Sequence, residues 1–341
     1  MARAETLKKL FRSYKCGNDA AFIEAANEII EEERKKHHVL LASELAKLVH
    51  NGRQLNIAEV KNALEPLPKD SDRGAALLEI RTPDRFFEDL ILADEPRGIL
   101  LNTVEEFKHW EILEANGLRP SSRLLFCGPP GCGKTAMAEA LSAELAIPLL
   151  YVRFDAVVSS LLGETAANLR KVFDYASKGT WVLFFDEFDA IGRSRDDVTE
   201  HGEIKRVVNT FLQMLDRFAG RTMVIAATNF EQSLDPALWR RFDEIVRFEK
   251  PSAKEIEQLV RKKLRNEFLW PKDLNSTLAK LRGLSHAEIE RICLDMMKWV
   301  AIEGRTTTDV RDLDRAIRKQ IQRKQALLRS QSKGQPAVDA G

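Results

Sequence analysis

Residues 124–135 read LLFCGPPGCGKT, an apolar run followed by a loop that satisfies GxxxxGK[ST] from Gly128 to Thr135. Leu124–Cys127 reads as a strand and Thr135–Leu145 as a helix, so the motif has the flanking elements that a phosphate-cradling loop needs. Gly128, Gly131 and Gly133 allow positive φ and close approach to a phosphate, while successive N–H groups and the helix N-terminus supply donors and partial positive charge. Pro129, Pro130, Cys132 and Ala136 complete the expected contact set. Lys134 is expected on the β and γ phosphates of ATP and the Thr135 hydroxyl on Mg²⁺. The alternative is a glycine-rich turn that matches by accident. Cys127 and Cys132 flank the loop, where small-residue packing explains them more simply than a redox switch.

Outward from this loop, short apolar strands alternate with amphipathic helices. Pro148–Phe154, Thr180–Phe185 and Arg221–Thr228 read as strands, and Thr165–Ala176 and Glu203–Phe218 as helices. Near-continuous apolar strands spaced by helices indicate a parallel sheet covered on both faces, an α/β domain over 86–250. Beyond Pro251 the pattern is helical only: Ala253–Phe268, Leu274–Leu281, Ala287–Glu303 and Val310–Gln325 form a second, all-helical domain over 251–325. Residues 326–341 read as a disordered tail, 66–85 as a Pro/Asp/Ser/Gly linker, and 1–65 as a small helical module.

Two further strand ends carry polar groups. WVLFFDEFD sets Asp186 and Glu187 after a buried strand, at the edge where parallel sheets bind ligands. Hydrolysis needs one carboxylate to hold a hydrated Mg²⁺ and another to orient or deprotonate water; Asp186 suits the first role and Glu187 the second. By itself such a pair is equally a helix N-cap, and Asp189 reads as the start of the following helix. MVIAAT leads into Asn229, whose amide can donate and accept and so hold a water against a γ-phosphate, or simply form a turn. Arg240 and Arg241 are adjacent guanidinium groups that want an anion unless both are solvated.

The composition excludes several classes. The chain has 341 residues, 44% hydrophobic and 31% charged, which is a soluble globular balance. With 53 Lys and Arg against 52 Asp and Glu, net charge gives no case for nucleic acid or membrane as the main partner. The longest uncharged stretch, Leu124–Gly133, is half of the ~20 residues a membrane span needs, and the N-terminus has no apolar leader core, so a cytoplasmic location is expected. Four cysteines without CxxC spacing read as reduced thiols.

As a set, these motifs resemble the AAA family of ATPases, within its protein-remodelling clade, from about Phe86 to Arg318. Asp186–Glu187 look like that family's Walker B pair, Asn229 like its sensor 1 residue, and Arg240 and Arg241 like its arginine fingers. The DLIL stretch opening with Asp89 and Leu90 occupies the place of the adenine contact. GLSHAEI, from Gly283 through Ala287 to Ile289, is similar to the clade's GxSGADL segment, and the helical domain to its lid. His286 stands where that segment has a glycine, with an expected place near the ribose. Ala287 stands where clamp-loader and initiator clades carry a sensor 2 arginine, which favours protein remodelling over a nucleic-acid motor. The nine basic residues of Arg305–Lys333 against three Asp are the feature that keeps the motor reading as an alternative.

The resemblance implies a homo-oligomeric ring, usually a hexamer, in which the fingers complete a neighbour's site and a protein substrate is remodelled. One departure is Ser160-Leu161-Leu162-Gly163, where Leu161 takes the place of a pore-loop aromatic; the second pore loop, about Arg193–His201, is charged. The stretch Arg3–His38 is similar to the start of small bacterial AAA ATPases paired with a subtilisin-like serine protease in plasmid stability or phage defence. The chain has neither HExxH nor GxSxG, so any proteolysis is expected from a separate chain.

Overall fold

The computed structural model describes residues 9, 24–29, 66–83, 85–158, 162–188, 200–230, 236–264 and 278–332. The chain divides into two compact units, Met1–Pro66 and Leu67–Gly341. In the first, residues 24–29 are helical and the Lys9 ammonium pairs with Glu24 (3.3 Å) and Glu28 (3.1 Å). The rest of the expected N-terminal module lies outside the described residues.

The second unit runs β1 (Leu78–Arg81), α1 (Asp94–Lys108), α2 (Trp110–Ala115), β2 (Arg123–Cys127), α3 (Lys134–Leu145), β3 (Leu149–Val152), α4 (Phe154–Val157), α5 (Leu162–Ala176), β4 (Val182–Phe185), α6 (Glu200–Arg217), β5 (Met223–Thr228), α7 (Pro236–Trp239), β6 (Glu244–Arg247), α8 (Ala253–Leu264), α9 (His286–Ile302) and α10 (Val310–Ser332). Six strands form one sheet in the order β1-β3-β4-β5-β2-β6, parallel throughout except for antiparallel β1.

Alternation along β4 explains the two layers. Phe184 faces a cluster built with Leu100, Val104 and Phe107 of α1 and Met137 and Leu141 of α3. Phe185 faces the other way, stacked on Phe173 of α5 at 5.7 Å and edge-on to Phe211 of α6 at 5.2 Å. Every residue of β4 and β5 is buried, as a two-sided cover requires. A third cluster joins Ile256 and Leu259 of α8, Ile289, Ile292, Cys293 and Met296 of α9, and Leu313 and Ala316 of α10, the three- and four-residue spacing of one helix face. That is the helical region expected after Pro251.

The expected linker at 66–85 needs correction. Leu78–Arg81 pairs with β3, Leu78 opposite Val152 and Arg81 opposite Leu149, and the Arg81 guanidinium lies 3.7 Å from the Tyr151 ring centroid. Ahead of it the buried Asp70 carboxylate accepts from the backbone N–H groups of Asp72 (2.7 Å) and Arg73 (3.2 Å) and from the Asn168 amide (3.1 Å). Turn-rich composition here fixes a folded strap rather than a free tether. The tail also begins later than expected, because α10 continues past 326 to Ser332. The thiols of Cys127, Cys132 and Cys293 are buried, and burial pushes the Cys293 thiol up to about 12, which leaves it inert.

Candidate nucleotide-binding site

Sheet order assembles the site. β4, β5 and β2 are neighbours and parallel, so Asp186 and Glu187, Asn229, and the loop after Cys127 leave the same edge side by side. The loop turns into α3 through Gly133, at φ +100°, and Lys134 is the first residue of that helix.

Lys134 is buried, and its ammonium donates to the carbonyls of Gly128 (2.6 Å) and Pro129 (3.0 Å) and to Asn229 Oδ1 (2.8 Å). A buried cation requires such acceptors, and here they tie the loop to the end of β5. One residue on, Thr135 Oγ1 donates to Asp186 Oδ2 at 2.8 Å, and Asp186 Oδ1 accepts from the Glu187 N–H at 2.9 Å. Glu187 sits at φ +50°, an uncommon conformation for a side-chain-bearing residue, and is exposed; the Phe188 N–H bond to the Ala227 carbonyl (2.8 Å) helps hold this turn.

The lid reaches the loop at the start of α9. The Ala287 N–H donates to the Gly131 carbonyl at 3.0 Å. Gly131 has φ +75°, and a Cβ there would stand 2.8 Å from Ser285 Oγ and 3.2 Å from the Ala287 Cβ, so no larger residue fits without displacement. Ser285 in turn caps α9: its Oγ accepts from the Glu288 N–H (3.3 Å), and its own N–H donates to the Glu288 carboxylate (2.7 Å). Burial pushes the Cys132 thiol up.

These elements enclose a cavity of about 1110 Å³. One end is made by Pro130–Met137, Asp186, Glu187 and Asn229; the rest is made by Arg85, Asp89–Leu92, Phe248 and the lid residues Leu259, Lys262, Lys263, His286, Ala287, Glu290 and Met297. It is a concave, partly apolar chamber with convergent polar groups, the form that small-molecule sites take.

Of the expected residues, Asp89, Leu90, Pro130, Gly131, Cys132, Gly133, Lys134, Thr135, Ala136, Asp186, Glu187, Asn229 and Ala287 line the cavity. Pro129 acts through its carbonyl on Lys134 instead. Gly283 is exposed, in a turn before α9 at φ +79°, and is not on the lining. Nor are Arg240, which is exposed, and Arg241, whose Nε donates to Asp216 at 3.2 Å. Leu161, Asp189 and residues 193–199 lie outside the described residues. Sequence reasoning missed Lys262 and Lys263, although Leu259, Lys262 and Lys263 fall on one face of α8 at helical spacing. Lys262 donates to the Glu88 carbonyl and Lys263 pairs with Glu290 of α9.

A parallel sheet whose first loop wraps a buried lysine beside a Thr–Asp pair defines a P-loop nucleoside triphosphatase. A family model for the ATPase family associated with various cellular activities matches residues 124–250. The chain is 43% identical over 325 residues to a AAA family ATPase, y4kL, of Sinorhizobium fredii, covering 95% of this chain and 97% of that one. It is 34% identical over 274 residues to a proteasome-activating nucleotidase of Pyrococcus horikoshii (78% of this chain, 69% of the other), and 32% over 273 residues to one of Thermococcus onnurineus (77% and 69%). The chain therefore belongs to the AAA family of ATPases. Among the described residues no helix is long and apolar enough to cross a membrane.

Proposed function

We propose that this chain is an Mg²⁺-dependent ATPase that works as a ring of identical subunits, a hexamer, and spends hydrolysis on remodelling or unfolding a protein partner. The observation that carries the ATP chemistry is the Lys134–Asn229 and Thr135–Asp186 pairing at one edge of the sheet. In this reading the Lys134 ammonium exchanges the Gly128 and Pro129 carbonyls for β and γ phosphate oxygens, and the loop N–H groups cradle the phosphates. The Thr135 hydroxyl and Asp186 carboxylate offer two hard oxygens side by side, which fits a magnesium ion completed by phosphate and water. Such an ion, when bound, neutralises charge on the phosphate oxygens.

Glu187 takes the proton of a water whose oxygen attacks the γ-phosphorus, while the bond to the ADP oxygen breaks. Asn229 orients that water. Arg240 and Arg241 are away from their own chain's cavity, which supports their serving a neighbour's. Glu187→Gln tests the assignment: it should bind ATP with affinity near wild type and lose turnover, whereas Lys134→Ala should lose binding. Wild-type turnover in Glu187→Gln would remove Glu187 as the base.

Protein as substrate is supported by the likeness to proteasome-activating nucleotidases. The cations of the C-terminal stretch from Arg305 give little support to a nucleic-acid motor, since Arg305 pairs with Asp312, Arg315 with Glu303 and Lys319 with Asp295, and Arg315 and Lys319 lie over the Trp299 ring. A subtilisin-like serine protease as the working partner, in phage defence or plasmid stability, rests on the resemblance of residues 3–38. Capture of partners on Glu187→Gln protein with MgATP decides it: the protease retained supports it, and its absence among retained proteins refutes it.

A further inference from the structure

Glu144 stands in the last turn of α3, where the negative end of the helix dipole opposes a carboxylate. Its side chain reaches across the fold instead, and accepts at 3.1 Å from the backbone N–H of Phe87, 57 positions earlier in the chain. Phe87 opens a single 3-10 turn, Phe87–Asp89, and its ring is buried in the cluster that holds Leu100, Met137 and Leu141. The turn is closed on itself: the Asp89 carboxylate accepts from the Phe86 N–H at 3.1 Å, and the Leu90 N–H donates to the Phe87 carbonyl at 3.2 Å. It therefore moves as one piece and carries with it Leu90, Ile91 and Leu92, which are apolar wall of the large cavity.

One helix thus holds both ends of the chamber. Lys134 and Thr135 in the first turn of α3 carry the phosphate end, and Glu144, about 15 Å further along the same helix, anchors the turn that presents Leu90–Leu92. We propose that Glu144 is a positioning residue for the nucleotide: through the Phe87 N–H it sets the apolar wall at the distance from the phosphate loop that a base requires. This rests on the nucleotide-site reading above. Glu144 is not on the cavity lining, so it acts only through Phe87. The buried ring of Phe87 resists withdrawal, but apolar contact is non-directional, and the hydrogen bond is what fixes the orientation of the turn. From the other side Lys262 of α8 donates to the Glu88 carbonyl, so without Glu144 the turn is left to its buried ring and to the lid.

ATP and inorganic tripolyphosphate separate the two ends, because tripolyphosphate fills the phosphate end and carries no base. Their affinities, by displacement of a fluorescent nucleotide and corrected for its own affinity, and steady-state ATPase rates are compared in wild type, Glu144→Ala, Glu144→Asp and Glu144→Gln. Glu144→Ala should weaken ATP binding by roughly three- to tenfold, as the loss of one hydrogen bond to a charged acceptor allows, and raise the KM for ATP alike. The kcat and the tripolyphosphate affinity should stay within about twofold, since Lys134, Thr135, Asp186 and Glu187 are untouched. Glu144→Asp keeps the charge but is one methylene short of Phe87, and should show the same split. Glu144→Gln keeps an acceptor oxygen and should recover part of the loss. A residue that only stabilises α3 would move both ligands together. Equal losses for ATP and tripolyphosphate, no loss in the alanine or aspartate variant, or a glutamine variant no better than these overturn the inference; should Glu144→Ala not fold, aspartate against glutamine gives the same contrast. A wild-type chain that binds neither ligand, or tripolyphosphate as tightly as ATP, overturns the nucleotide-site reading instead.

Discussion

Gly131→Ala, set against Gly133→Ala, measures how tightly the lid closes on the phosphate loop. Both glycines have positive φ, +75° and +100°, and that backbone costs an alanine roughly 1–2 kcal/mol. At Gly133 nothing lies within 4 Å of the added carbon, so the backbone cost stands alone. At Gly131 the methyl would meet Ser285 Oγ at 2.8 Å and the Ala287 Cβ at 3.2 Å. Turning the Ser285 hydroxyl away relieves the closer contact but gives up its bond from the Glu288 N–H, an N-cap worth about 1 kcal/mol. Gly131→Ala should therefore cost about 2–3 kcal/mol against about 1–2 for Gly133→Ala. With a urea slope of ~1–3 kcal/mol/M, the extra kilocalorie moves the unfolding midpoint by a further 0.3–1 M or so. Both variants should be unfolded at one protein concentration, because assembly also stabilises. In the double variant Gly131→Ala/Ser285→Ala the clash and the cap disappear together, so its loss should fall short of the sum of the singles. Equal losses for the two glycines, or an additive double variant, would refute the account of lid contact.

Two other outcomes follow from the remaining geometry. Arg240→Ala or Arg241→Ala should bind nucleotide and lose most turnover, and mixing with Lys134→Ala protein should restore part of it, since each partner supplies what the other lacks; steady-state ATPase rates of the mixtures decide this. The Arg305 guanidinium, bidentate at 2.9 and 2.7 Å, holds the Asp312 carboxyl below its ordinary value of 3.8. The unfolded chain then binds the proton more readily, so this stability is complete above that value and is lost as pH falls through the lowered pKa. The gap in denaturation midpoint between wild type and Asp312→Asn should be full at neutral pH and narrow on the acid side; a gap that does not change with pH would contradict it.

What was legible in the sequence was what a local pattern carries. β4 is apolar at every position and β5 at every position but Thr228, and the loop between Cys127 and Lys134 declares its own geometry through glycine spacing. The two outer strands were not legible, because LEIR and EIVR are four residues long, carry charges and lie at the sheet margins, where one edge faces no strand. Their pairing is decided by neighbours, Val152 for one and Phe126 for the other, far away in sequence. The same holds in the site. SHAE contains a visible capping box, and α8 shows its cationic pair at helical spacing, but nothing in either segment announces that Ser285 abuts Gly131 or that both His286 ring nitrogens are buried.

Those unannounced contacts bear on how the proposed chemistry reaches the lid. Lys134 is satisfied by three protein acceptors, so phosphate binding is an exchange and its net gain is smaller than a bare ammonium would give. Meanwhile the loop that carries Lys134 is joined to α9 through the Gly131 carbonyl and the close fit against Ser285. Any shift of the loop on filling the cavity must move the first turn of α9 or break those contacts. Because α9 shares its apolar face with α8 and α10, a shift of that first turn would be passed to the three helices together.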